Sequence, residues 1–247
     1  MLAAGAQRIH AQQADVRTLT PGDGGIDGRR IQAYTNAWQT YRVGTDGRRT
    51  PGPVWYDTVS VVRRAGTDML RRVQVIVDST RQTVLVNEAE RAGFRPRLTT
   101  AAIRGSEPFL ELHFDGARVS GKRQVLPRNG RPQDQVSAEF TLALPQPVFD
   151  WRWWGLLAAA QPLEANYASR FLTFAAESMV ESFLMWITMR VVGEEAVGDI
   201  PCWVVALDAG APWTLWIAKR GEVAPVQRIR IVQGDGTTMF WEPISVR

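Results

Sequence analysis

The chain has 247 residues, 45% hydrophobic and 22% charged, a balance that excludes wholesale disorder and suits one large all-β domain. Its net charge of +4 is unevenly spread, with 21 Lys and Arg against 12 Asp and Glu in residues 1–131, and 8 against 13 in residues 132–247. The basic residues fall in dispersed pairs, Arg29-Arg30, Arg48-Arg49, Arg63-Arg64 and Arg71-Arg72, with no stacking aromatics gathered among them, which argues against nucleic acid as a partner.

Residues 1–30 read as a tail. Ile9-His10-Ala11 before Gln12-Gln13 resembles the small-residue end of an export signal, which marks residues up to about 11 as its remnant and 12–30 as an extended polar arm. A single β-rich domain is expected over 31–247. Strand patterns follow at Ile31–Val43, Val54–Arg64, Asp68–Val77, Thr83–Glu88, Arg97–Ile103, Phe109–Phe114 and Ala117–Val125, with turn signals at Gly44–Gly47, Ala65-Gly66 and Asp115-Gly116. In Asp68–Val77, Val73, Val75 and Val77 alternate with Arg72, Gln74 and Ile76, the pattern of a half-buried antiparallel strand. Residues 126–135, rich in Pro, Gly and Arg, read as a long loop.

Past Pro145 and Pro147 the pattern becomes helical over about 149–160, with Asp150 as N-cap and Trp151, Trp153, Trp154, Leu156, Leu157 and Ala158 making it apolar nearly all round. Such a helix needs cover on most sides, and the concave face of a curved sheet supplies it. Strands resume at Tyr167–Phe174 and Phe183–Glu194. In the second, both parities are apolar, which predicts cover on two faces. Three further runs, Gly198–Asp208, Trp213–Lys219 and Pro225–Ile231, are separated by short turns, and Thr237–Glu242 closes the series.

The features from Pro162-Leu163 onward carry a resemblance: Val191-Val192-Gly193-Glu194-Glu195, Gly198 to Val205 with Cys202-Trp203 inside it, and Thr214-Leu215-Trp216-Ile217 leading to Lys219. Their order resembles an uncharacterised group of bacterial envelope proteins whose domains look like the lipoprotein carriers LolA and LolB. The resemblance implies a mainly β, strongly curved antiparallel half-barrel with one short helix packed on its concave face. It also implies a periplasmic or otherwise exported location. In the carriers that concavity accepts acyl chains and the helices form a movable lid.

The sequence offers little for catalysis. Histidine occurs only as His10 and His113, and Cys202 alone rules out an intrachain disulfide; neither a catalytic set, a metal site nor a cofactor motif is expected. No apolar run approaches 18 residues, so a transmembrane helix is not expected either. Ten tryptophans are the anomaly, since each buries on the order of 150–250 Å². With the methionines they suggest a hydrophobic cavity lined by Trp151, Trp154, Leu157, Met185, Trp186, Met189, Trp203 and Trp216. The expected function is non-enzymatic binding of a lipid or acyl chain. The alternative is an accessory subunit that docks on an envelope protein through the arm 12–30 and the loop 126–135.

Overall fold

The computed structural model describes residues 16–125, 136–176, 183–221 and 224–244. Sixteen strands run through them. The first is β1 (Arg17–Leu19), followed by a 3-10 turn (Gly28–Arg30) and then β2 (Tyr34–Val43), β3 (Arg49–Arg64), β4 (Thr67–Val77), β5 (Gln82–Glu90) and β6 (Pro96–Ile103). Next come β7 (Pro108–Asp115), β8 (Arg118–Val125), β9 (Val136–Ala143) and the short β10 (Phe149–Asp150). A 3-10 turn (Trp151–Trp153) runs into α1 (Trp154–Ala159), and the chain ends with β11 (Ala168–Ala175), β12 (Phe183–Val197), β13 (Ile200–Asp208), β14 (Pro212–Ala218), β15 (Val226–Val232) and β16 (Thr238–Pro243).

All sixteen belong to one sheet. Its order is β1-β11-β12-β13-β14-β15-β16-β2-β3-β4-β5-β6-β7-β8-β9, with β10 also paired to β11. Neighbours are antiparallel apart from β1 and β10, which run parallel to β11 at residues 169–171 and 173–174. Tight hairpins follow from local chemistry: Ala65 and Gly66 both take positive φ between the paired Arg64 and Thr67, matching the right-handed twist of the flanking strands. Gly121 in β8 is obligatory for another reason, since a Cβ there would fall 1.9 Å from the Glu111 carbonyl oxygen. The expected mainly β fold, a curved antiparallel sheet with a short helix against its concave side, is what forms.

The sheet rolls further than a half-barrel. β11 is buried on both faces. Phe171 joins the main core with Phe149, Trp153, Leu156 and Leu157, whereas Leu172 and Phe174 join a second cluster with Leu110, Leu112, Phe114 and Val119 of β7 and β8. Phe149 meets Phe171 edge-on at 5.7 Å, and Phe114 meets Phe174 edge-on at 6.2 Å. One margin of the sheet therefore lies inside the curve of the other.

Several local expectations are corrected. Over residues 16–30 the extended arm is part of the body: Leu19 and Ile26 are fully buried, and the Asp27 amide donates to the Ala160 carbonyl at 3.0 Å. Two apolar side chains placed in a polar stretch are enough to anchor it. The helix is shorter than 149–160, because Phe149–Asp150 pairs with β11 and the three residues after it form the tighter 3-10 turn. In β4 it is Arg72 and Gln74 that face inward, each 2% exposed, while Val73 and Val75 are only half-buried. β12 is covered on one face alone, since Leu184, Trp186 and Val192 of the other parity are exposed. The loop 126–135 lies outside the described residues.

Because β11 carries two cores, truncation on either face should be costly. Phe171→Ala and Phe174→Ala are each expected to lose about 3–5 kcal/mol in a denaturant titration, where a sheet margin with one wet face would show such a loss for only one of them.

Candidate functional site

The helical segment is fixed to the sheet by a buried polar junction. Asp57 of β3 and Arg72 of β4 form an ion pair, with Arg72 Nε donating to Asp57 Oδ1 at 2.9 Å and Nη2 donating to Oδ2 at 2.5 Å. Both side chains are almost wholly out of water, at 3% and 1% exposure, so each charge needs the other. Tyr34 Oη donates to Asp57 Oδ2 at 3.2 Å, and Arg72 Nη1 donates to the carbonyl of Arg152 at 2.9 Å. Burial opposes the Arg72 charge, but Asp57 beside it, helped by Tyr34 and Asp150, holds its pKa above the ordinary value. Burial and then the Asp57 charge push the Tyr34 phenol well up.

Asp150 makes the second attachment. One carboxylate oxygen caps the 3-10 turn by accepting from the Arg152 amide at 3.0 Å, as its place before the turn predicts. The other accepts from Asn87 Nδ2 at 3.1 Å and from Thr99 Oγ1. Asn87 and Thr99 face each other across β5 and β6, and Nδ2 of the first also donates to Oγ1 of the second at 2.8 Å. Four successive strands, β3 to β6, thus present one polar row to the segment Asp150–Arg152.

Aromatic contacts fill the rest of the concavity. Trp213 of β14 meets Trp151 edge-on at 5.3 Å, Trp154 at 5.7 Å and Trp241 in a stack at 6.4 Å, and Trp241 meets Trp55 at 6.2 Å. Phe94 closes on Trp153 at 5.1 Å. The Arg72 guanidinium lies 5.2 Å from the Trp154 ring. Leu156, Leu157 and Ala158 are fully buried, so the space the helix would have to leave open is occupied by its own side chains.

A cavity of about 240 Å³ lies instead at the C-terminal end of α1. Ala159, Leu163, Ile217 and Trp203 supply the apolar part of its lining, and Gln32, Gln161, Arg30 and Lys219 make the lining as a whole more polar than apolar. Lys219 Nζ sits 3.9 Å above the Trp203 ring and is ion-paired with Glu194. Gln161, between helix and cavity, is fully engaged: its amide nitrogen donates to the Leu157 carbonyl at 3.0 Å, and its oxygen accepts from Ser169 at 2.6 Å and Tyr167 at 3.0 Å. This end of the helix is therefore rigid as well.

The residues expected to line a cavity divide. Trp151, Leu157 and Met189 belong to the main core, with Trp154, Met185 and Trp203 packed against it, and of these Trp203 lines the end cavity. Trp186 and Trp216 do not join them. Trp186 pairs with Leu172 on the opposite face of β11 and β12. Trp216 shares the outer face of β14 with Arg228, whose guanidinium is 5.3 Å from its ring, and its Nε1 donates to Glu195 at 2.9 Å. Alternation places both outside: Leu215 and Ile217 take the inner positions, and both faces of these strands are apolar, so composition gave no means of choosing. Asp57, Arg72, Asn87 and Thr99 were overlooked for the converse reason, as polar residues mid-strand read as solvent-facing. The signal available was their opposite charge on two adjacent strands.

These features define a mainly β protein whose rolled sheet is plugged by a clamped helical turn and opens at one end into a small, basic-edged cavity. The chain belongs to the family described as "Protein of unknown function (DUF3108)", whose model matches residues 31–240. Among solved structures it is similar to a beta-barrel-like protein of the domain of unknown function DUF1849 from Brucella abortus, at 14% identity and a TM-score of 0.49, covering 87% of this chain and 97% of that one. None of the curated proteins matches it. No described helix is long and apolar enough to cross a membrane.

The clamp predicts a specific energetic pattern. Arg72→Met alone should cost about 3–5 kcal/mol, because it strands the Asp57 charge. Joining it to Asp57→Leu should recover much of that loss, and a double-mutant cycle by denaturant melts measures the coupling.

Proposed function

We propose that this is a non-enzymatic, exported envelope protein that binds the apolar end of an anionic amphiphile, a lipid or acyl chain, in the cavity at the end of α1. One observation carries the reading: an indole wall, Trp203, with Leu163, Ile217 and Ala159 beside it, lies within reach of two cations, Lys219 and Arg30. An apolar wall beside placed polar and charged groups is the combination an anionic amphiphile requires. At about 240 Å³ it suits a small ligand or the end of a longer chain.

The reading keeps the resemblance to the lipoprotein carriers but moves the site. Where those proteins hold acyl chains beneath a movable lid, here the segment Asp150–Arg152 is tied to four strands and its side chains fill the concavity. Export rests on that resemblance and on the residues around Ile9–Gln13. The non-enzymatic reading is supported by His113, which stands exposed on β7 and bonds Glu111 at 2.8 Å, remote in the register from the helical segment.

Calorimetric titration with octanoate and with octylamine tests it. Octanoate should bind and octylamine should not, Leu163→Trp should abolish binding by filling the cavity, and Lys219→Gln should weaken it about tenfold, the size of one charge-assisted contact. Equal binding of the two amphiphiles, or octanoate binding untouched by Leu163→Trp in a folded variant, overturns the proposal. Trp154→Ala should lower stability without altering octanoate affinity.

A further inference from the structure

The chain buries or half-buries nine of its ten tryptophans and leaves Trp186 48% exposed. Trp186 stands on the outer face of β12 between Leu184, 39% exposed, and Val192, 60% exposed. The register completes the face. Trp186 lies beside Leu172, Thr188 beside Arg170 and Asp208, and Arg190 beside Ala168 and Ala206. The Arg170 guanidinium lies 5.3 Å from the Trp186 ring, and its Nε donates to Thr18 Oγ1 at 2.8 Å. Arg190, four positions after Trp186 on the same strand, is exposed. Asp208 shares this face, as does Glu195, which is paired with Trp216 and Arg228 further along β12.

An indole left in water is costly unless something removes it from water in use, and Trp suits a boundary because one part of the ring is apolar and its N–H is polar. Arginines alongside fit the same boundary, since their stems lie on apolar surface while the guanidinium meets anions. This is the face of β12 turned away from the main core, and it continues the Leu172 and Phe174 face of β11 beyond the point where β7 and β8 cover it. We propose that the outer face of β12, through Trp186, Leu184 and Val192 with Arg170 and Arg190, docks the protein on the surface of an anionic membrane. The inference is independent of the end cavity.

Vesicle flotation decides it, with liposomes of 70% phosphatidylcholine and 30% phosphatidylglycerol compared with phosphatidylcholine alone. The protein should float with the anionic vesicles, and binding should fall with added salt. Trp186→Ala should reduce the bound fraction severalfold, and Arg170→Gln with Arg190→Gln by about fivefold for each charge removed. Tyr56→Ala, at another exposed aromatic position, should bind as the unaltered protein does. Thermal melts show that each variant is folded, and Leu163→Trp, which fills the cavity, should leave flotation unchanged. No flotation with anionic vesicles, equal flotation with both compositions, or folded Trp186→Ala binding at the unaltered level overturns the proposal.

Discussion

The buried pair between Arg72 and Asp57 is the constraint on which the inner architecture depends. Two charges withdrawn from water are tolerable only when their geometry is good and their remaining donors are used, and here the surplus donor of Arg72 is spent on the carbonyl of Arg152. That choice ties the helical turn to β4. Asp150 repeats the device one residue before the turn, through Asn87 and Thr99. A sheet with a purely apolar concave face would hold a helix by area alone and would let it slide; a polar row across four strands fixes where it sits.

With the turn fixed, the rest of the interior arranges itself around it. Trp151 and Trp154 lean on Trp213, Trp213 on Trp241, and Trp241 on Trp55, so aromatic contact runs from the helical segment across β14 and β16 to β3. The other consequence is at β11. Because Phe149–Asp150 must pair with it to deliver Asp150, β11 is drawn beneath β7, and the sheet margins overlap instead of meeting. The overlap buries what would otherwise be a wet face, and the short parallel strands β1 and β10 cover the hydrogen-bonding edge of β11.

Most strands were legible in the sequence because alternation and turn residues agreed, as at Asp115-Gly116 and in the three runs from Gly198 to Ile231. β1 was not, since three residues paired in parallel with a distant partner carry no local signature. β9, Val136–Ala143, mixes Ser, Glu and Thr with its apolar residues. The helix was placed correctly but drawn too long: Trp151 and Trp153, packed on Trp213 and Phe94, are buried without being α-helical. Inward placement was readable for apolar residues such as Leu157, Met189 and Trp203, though of these only Trp203 lines the end cavity. It was misread at Trp186 and Trp216, because periodicity identifies two faces of a strand but does not say which is inside. The clamp was invisible for the complementary reason that a buried Arg and a solvent-facing Arg look alike in sequence.

The place of the last strand bears on how the protein reaches this state. β16 does not lie at a margin but between β15 and β2, where Thr238 faces Val43 and Glu242 faces Gln39. Until residues near 240 are available, β2–β9 and β11–β15 are separate sheets, each with an unsatisfied edge where the joint should be. Such non-local pairing makes closure slow, because strands far apart in the chain must both be present before the joint can form. A chain cut short before Thr238 would present two open ladders that find partners in other molecules.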